Sequence, residues 1–102
     1  MLFRSASNPE IPTLHEEGVD LVIRNWIGLF ARAGTPRDIV ERWNRTIAKS
    51  TADRTYVQKI LEPAGMELAA PSGESPEEFA KFLARDREGY LRIKREAQLK
   101  VD

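Results

Sequence analysis

The sequence His15-Glu16-Glu17 begins like the zinc-binding motif His-Glu-x-x-His, in which two histidines on one helix face hold the metal. The second histidine is missing, because Val19 occupies its position and the chain contains a single His. A zinc site needs at least three protein ligands. We therefore expect no metal site in this chain.

Nucleophilic and phosphate chemistry also lack their usual patterns. A Ser–His–Asp arrangement would have to use His15, and no serine stands in a Gly-x-Ser-x-Gly turn. The chain has no cysteine, which excludes a thiolate nucleophile and a Cys-ligated zinc. Gly28, Gly34, Gly65 and Gly73 are isolated, so they form no phosphate-binding loop. We expect a protein that is not an enzyme and needs no cofactor.

The charge balance argues against nucleic acid and the membrane as direct partners. Among 102 residues, 16 Lys+Arg offset 16 Asp+Glu, and the net charge at pH 7 is zero. Apolar runs such as residues 21–23 are far shorter than the roughly 20 residues that span a bilayer. Residues 1–12 contain no apolar run of signal-peptide length, so the chain as written is expected to be cytoplasmic.

The first part of the chain predicts a loop followed by one short helix. Residues 5–12 are rich in Ser, Asn and Pro, which favours a loop. Thr13 and Glu16 have the Thr-x-x-Glu spacing of a capping box, in which each side chain bonds the backbone N–H of the other residue. We expect a helix over residues 14–17 that ends at Gly18.

Residues 19–31 are rich in β-branched and aromatic side chains and have no helical period, which predicts one strand. A strand with so few polar residues is expected to be buried on both faces. Residues 66–70 predict a second, shorter strand. Two strands make a poor sheet, so the neighbours of the first strand are expected to come from outside this chain.

The next segment predicts an amphipathic helix. Thr35 is expected to be its N-cap, with Pro36 at the first helical position, where a missing N–H costs nothing. Ile39, Trp43 and Ile47 lie four residues apart and predict an apolar stripe. Trp43 is therefore expected in the core.

Two further helices follow. Asp53 is expected to cap a helix that ends at Gly65, with a buried face of Tyr56, Val57, Ile60 and Leu61. Ser75, Pro76 and Glu78 supply an N-cap, a first-position proline and the third-position acid of a capping box. The long helix that follows carries one apolar side, at Phe79, Phe82, Leu83, Tyr90, Ile93 and Ala97, with Asp86 among them.

Four ordered segments resemble the Bug family, the solute receptors of tripartite tricarboxylate transporters. Residues 9–18 resemble its P-x-V-P-T-x-x-E-x-G pattern, with Ile11 in place of valine. Residues 26–36 match W-x-G-L-x-A-P-A-G-T-P except for Arg32 in place of proline. Gly65 and the Ser-Pro-Glu-Glu-Phe sequence at residues 75–79 are similar to later family features. The resemblance covers nearly the whole chain and about the last third of a family member.

The resemblance implies an α/β fold: the C-terminal fragment of a two-domain, type II periplasmic-binding-protein-like receptor, mostly helical here with one or two strands. Residues 1–24 would be the tail of the second domain and the approach to the hinge. Residues 25–102 would hold the hinge-crossing strand and the closing helices of the first domain.

The same resemblance implies a periplasmic receptor for a small carboxylate, either a tricarboxylate, a dicarboxylate or an acidic amino acid. Membrane transporter subunits would be its partners in uptake or sensing. Trp26, Gly28 and Phe30 are candidates to line the ligand cleft, because the crossing strand passes beside it. That these three residues belong instead to the core is at least as well supported. The alternative is a free-standing helical module that pairs its apolar strand with another protein chain.

Overall fold

A computed structural model describes residues 4–98 and divides between residues 32 and 33 into two compact units. The described part of the first unit consists of turns and irregular chain, without a helix or strand. The second unit is helical, which confirms the prediction of a mostly helical chain. Its elements are α1 (Arg37–Ala52), α2 (Arg54–Tyr56), a π-helical turn (Val57–Leu61), a 3-10 turn (Glu62–Ala64) and α3 (Pro76–Glu96).

The predicted helix over residues 14–17 is a single closed turn. Thr13 Oγ1 accepts the Glu16 N–H at 3.1 Å, which is one of the two hydrogen bonds that the capping-box spacing predicts. The Glu16 carboxylate pairs with Arg4. The turn ends at Gly18, whose φ of 85° lies in the left-handed region. The Val19 N–H then bonds the Leu14 carbonyl at 2.9 Å, the six-residue bond of a Schellman motif. The cap at Thr13 and the terminator at Gly18 lie so close together that a helix of several turns does not form.

The two predicted strands, at residues 19–31 and 66–70, are wrong for this structure. Neither segment forms a strand, and none occurs elsewhere in residues 4–98, so the α/β class is not observed. A strand needs a neighbour to satisfy its backbone N–H and C=O groups. The composition of residues 19–31 favours a strand, but the described chain offers no second strand to pair with it.

Helix α1 forms where the sequence predicts it, but it begins one residue later. Pro36, with ψ of 139°, has non-helical backbone and is the N-cap residue in place of Thr35. Its carbonyl accepts the N–H groups of Ile39 at 3.1 Å and Val40 at 3.3 Å. Trp43 is 59% exposed, so its predicted place in the core is also wrong.

Residues 53–66 form an irregular helix with well-defined ends. Asp53 caps it as predicted, since its Oδ1 accepts the Thr55 N–H at 2.9 Å. Pro63 has no N–H to continue the α-helical ladder, and the residues around it adopt π and 3-10 turns. Of the predicted buried face, Val57 and Leu61 are half-buried, whereas Tyr56 and Ile60 are exposed.

Helix α3 begins as the sequence predicts, at the Ser75 cap. Ser75 Oγ accepts the Glu78 N–H at 3.3 Å, and Pro76 occupies the first helical position. The rings of Phe79 and Phe82 stack with centroids 6.1 Å apart. They are half-buried, as are Leu83, Asp86 and Ile93, whereas Tyr90 and Ala97 are exposed. The apolar side of α3 is therefore only partly covered.

The loop before α3 packs against α1. A Cβ built on Gly73 would lie 3.1 Å from Thr51 Oγ1 and 3.7 Å from Ala48 Cα, both on α1. Its φ of 77° also favours glycine. An added Cβ would therefore be tightly packed, and the Thr51 side chain would have to shift by a few tenths of an ångström to make room for it.

The described residues contain no fully buried side chain, either apolar or polar. Large apolar residues from both units are exposed, including Ile11, Val22, Ile27, Phe30, Trp43 and Ile60. None of the helices in residues 4–98 combines the length and the apolar character that crossing a membrane requires. Local hydrogen bonds therefore define these elements more than a hydrophobic core does.

Replacing Ser75 by alanine is expected to fray the start of α3. The substitution removes the acceptor of the Glu78 N–H, and loss of an N-cap costs about 1 kcal/mol. Hydrogen exchange of the Glu78 amide should accelerate about fivefold. Ser72→Ala, in the preceding loop, is the matched control and should leave this amide unchanged. Equal exchange rates in both variants would contradict the capping role.

Candidate functional site

The three residues predicted to line a ligand cleft lie in a part of the first unit that forms no helix or strand. The rings of Trp26 and Phe30 are neighbours, with centroids 6.4 Å apart and planes inclined by 44°. Trp26 and Gly28 are half-buried, and Phe30 is 64% exposed. The structure thus brings the two aromatic rings together, with Gly28 between them in sequence.

This cluster offers an apolar wall with one side-chain hydrogen-bond donor, the indole N–H of Trp26. A carboxylate needs cationic groups or several N–H donors around it. Trp26, Gly28 and Phe30 could therefore contact the carbon skeleton of a small acid, whereas its charged groups require other residues. Their role in binding stays a prediction.

Arg4 belongs to the same unit as these three residues, and it is already engaged. Its Nε lies 2.9 Å and 3.0 Å from the two carboxylate oxygens of Glu16, and its Nη1 donates to the Pro9 carbonyl at 3.0 Å. The pair connects residues twelve positions apart, and the sequence analysis did not predict it. A guanidinium held in this way contributes to the turn rather than to ligand binding.

The Arg4–Glu16 pair shifts both ionisation equilibria. The hydrogen bond from Arg4 lowers the pKa of Glu16, with a further contribution from hydrogen bonds of Thr13. The same bond raises the pKa of Arg4. Because the carboxyl pKa is lower in the structure, the pair stabilises the turn at neutral pH. That contribution is lost as the pH falls through the lowered pKa of Glu16.

Arg37 joins the first turns of α1 and α3. Its Nε donates to Glu41 at 2.9 Å within α1, and its Nη2 forms an ion pair with Glu77 at the start of α3. The hydrogen bond to Glu41 is the main cause of the raised pKa of Arg37. The pKa of Glu77 is lowered, first by its own backbone N–H and then by Arg37. The i,i+4 spacing indicates the Glu41 contact, but no sequence signal indicates the Glu77 contact.

Across residues 4–98, no three His, Asp or Glu side chains come together in a group that could hold a metal ion. Glu16 of the incomplete zinc motif is paired with Arg4. Its carboxylate therefore has a structural partner in the described chain.

Replacing Arg4 by glutamine is expected to raise the pKa of Glu16 toward its ordinary value, because the main cause of its lowering is removed. An NMR titration of the Glu16 carboxyl carbon measures this shift directly. Arg24→Gln removes the same charge from the same unit and should leave the Glu16 titration unchanged. A Glu16 pKa that is equally low in the Arg4 variant would contradict the assigned cause.

Comparison with known proteins identifies the class. The sequence model of one protein family, described as Tripartite tricarboxylate transporter family receptor, matches residues 3–97. The chain is also 33% identical over 94 residues to the UPF0065 protein in tcbD-tcbE intergenic region of Pseudomonas sp. (strain P51). That alignment covers 90% of this chain and 27% of the relative. No solved structure matches the chain.

The chain belongs to the tripartite tricarboxylate transporter receptor family, which is a family of solute-binding receptors. This confirms the resemblance to the Bug family. The chain spans about a quarter of the length of the curated relative that it matches. The comparisons give no support to the alternative of a free-standing interaction module.

Proposed function

We propose that this chain is the C-terminal part of a periplasmic solute receptor that binds a small carboxylate. The ligand would be a tricarboxylate, a dicarboxylate or an acidic amino acid, taken up or sensed through membrane transporter subunits. The observation that carries the proposal is the family match over residues 3–97. The chain would act as the part that completes the receptor, without catalysis.

The exposed apolar surface supports a chain that completes a larger body. Residues 19–31 have strand composition but no strand neighbour in the described chain, and α1 leaves Trp43 exposed. Apolar surface of this kind is stabilised when other elements cover it. In the receptor, residues 1–24 would belong to the tail of the second domain. Residues 25–102 would cross the hinge and add closing helices to the first domain.

In this proposal, Trp26, Gly28 and Phe30 face the ligand where the chain crosses the hinge. The adjacent rings of Trp26 and Phe30 would pack against the carbon skeleton of the acid. The carboxylates would be bound by N–H and hydroxyl donors of the receptor body. Alone, the chain would bind such acids weakly or not at all.

A chimeric receptor tests the proposal. Residues 3–97 replace the corresponding C-terminal segment of a full-length family receptor whose carboxylate ligand has been measured. We expect isothermal titration calorimetry to give a dissociation constant within about tenfold of the parent receptor, a difference of about 1.4 kcal/mol. The receptor body without this segment should lose binding. A folded chimera that does not bind the acid would overturn the proposal.

The cleft residues are tested in the same chimera. Trp26→Ala should weaken binding at least tenfold, because the indole packs against the ligand in this proposal. Ile27→Ala removes the neighbouring apolar side chain, which is 80% exposed, and is the matched control. Thermal unfolding of both variants separates a loss of affinity from a loss of stability. Equal affinities in the two variants would remove Trp26 from the cleft.

A further inference from the structure

Arg24 is a cation of the first unit whose charge is not neutralised within the described chain. Residues 4–32 contain three Arg or Lys side chains, which are Arg4, Arg24 and Arg32. Arg4 is paired with Glu16, and Arg32 also has an interaction. The Arg24 side chain is exposed and forms no hydrogen bond or ion pair with residues 4–98. Among residues 4–32, it is the one guanidinium that is free.

The nearest acidic residue in sequence leaves Arg24 unpaired. Asp20 lies four residues before it, a spacing at which opposite charges pair on a helix. Residues 20–24 form no helix, and the two side chains do not contact each other. An arginine stays protonated at every physiological pH and presents its N–H donors in a planar fork that fits a carboxylate. Arg24 thus offers a permanent positive charge to an anion.

The position of Arg24 in the chain places this charge close to the aromatic pair. Arg24 and Trp26 are two residues apart, so their Cα atoms are separated by about 7 Å at most. An arginine carries its guanidinium at the end of a three-carbon stem, which can reach past a neighbouring residue. The rings of Trp26 and Phe30 lie 6.4 Å apart. One small molecule can therefore contact the rings and the guanidinium together.

A small acid with two or three carboxylates matches this combination of groups. Its negative charges stand at the ends of a short carbon skeleton. The aromatic pair can contact the skeleton, and the guanidinium can bind one carboxylate through two parallel N–H···O bonds. In the proposed receptor, Arg24 is also the last residue before the chain crosses the hinge, and ligand sites occur preferentially between domains.

We propose that Arg24 is a ligand-binding residue of the receptor, and that its guanidinium binds one carboxylate of the acid beside Trp26 and Phe30. The other carboxylates stay with the N–H and hydroxyl donors of the receptor body. This inference deepens the proposed function and rests on it. It makes Arg24 a determinant of specificity, because a neutral group in place of that carboxylate forms a weaker bond to the cation.

Titration calorimetry of the chimeric receptor tests the inference, with a succinate-binding parent and succinate as the probe. Arg24→Gln removes the charge but keeps N–H donors, and it should weaken succinate binding at least tenfold, about 1.4 kcal/mol. Arg24→Lys keeps the charge without the planar fork and should restore part of the affinity. Arg54→Gln is the matched control, since Arg54 is also exposed and unpaired among residues 4–98. It lies in the second unit and should leave the affinity unchanged.

A second ligand separates a contact with the carboxylate from an effect on the fold. Succinamate is succinate with one carboxylate replaced by a neutral amide. The chimera should bind it at least tenfold more weakly than succinate. In Arg24→Gln this preference should shrink to within about threefold, because the cation that favours the second carboxylate is gone. A residue that only supports the fold would weaken both ligands equally.

The possible results separate this inference from the proposed function. A chimera that binds succinate equally well with Arg24→Gln would overturn the inference and leave the proposed function in place. An unchanged preference between the two ligands in this variant would also overturn it. If Arg24→Gln does not fold, Arg24→Lys decides, because it should bind succinate more weakly and still prefer it to succinamate. A folded chimera with natural Arg24 that does not bind succinate would overturn the proposed function itself, and the inference with it.

Discussion

Calorimetry of the 102-residue chain, at concentrations too low for association, is expected to show no unfolding peak of ordinary size. A domain of 100 residues absorbs about 60–80 kcal/mol at its midpoint. Unfolding enthalpy and heat capacity follow the surface that unfolding exposes. Because no side chain in residues 4–98 is fully buried, unfolding exposes less surface than it does in a packed domain of this length. We expect a broad transition with an enthalpy below this range.

A dilution series serves as the control. The transition of a single chain should keep the same enthalpy and midpoint at every protein concentration. A sharp peak near 70 kcal/mol in a dilute, monomeric sample would contradict the prediction. Such a peak would mean that the chain forms its own core.

Local signals in the sequence predicted the parts of the fold that depend on neighbouring residues. Ser75, Asp53 and Thr13 act as caps because their oxygen atoms reach N–H groups two or three residues ahead. Gly18 and Gly65 end their turns because their φ values, 85° and 70°, lie in the left-handed region that glycine adopts readily. This is also a property of a single residue. The N-cap of α1 lies one residue later than predicted, at Pro36. The backbone of Pro36 is non-helical, and its carbonyl accepts the N–H groups of Ile39 and Val40.

The incorrect predictions concern contacts between distant residues. Strand composition in residues 19–31 describes a preference for a paired, buried environment, and the described chain contains no strand to provide it. Trp43 lies on a regular apolar stripe, but a stripe indicates only which face would be buried. No sequence spacing specifies the Arg4–Glu16 or the Arg37–Glu77 ion pair, because each pair joins separate elements.

The candidate site also has one part that local sequence motifs predicted and another part that depends on distant residues. The order of motifs around Trp26 indicated the family, and the match to the family model confirms that prediction. The adjacency of Trp26 and Phe30 is compatible with their sequence separation of four residues. Which groups bind the charged ends of a ligand depends on the receptor body, and the chain covers about a quarter of the curated relative's length.

Replacing Gly65 by alanine is expected to destabilise the end of the irregular helix, because its φ of 70° and ψ of 21° are left-handed. An L-residue with a Cβ pays about 1–2 kcal/mol in this conformation. No atom lies within 4 Å of the added Cβ, so the cost is conformational rather than steric. Hydrogen exchange of the Met66 amide, which bonds the Leu61 carbonyl at 2.9 Å, should accelerate roughly 5- to 30-fold.

Gly89→Ala is the matched control, because the same methyl group is added inside α3 at ordinary helical dihedral angles. No atom lies within 4 Å of its Cβ either, and alanine is favoured over glycine in a helix by up to about 1 kcal/mol. Amide exchange in α3 should therefore slow, and the far-UV circular dichroism of the helix should increase. One substitution should thus have opposite effects at two glycines. If both variants exchange more slowly than the natural chain, the left-handed terminator at Gly65 is wrong.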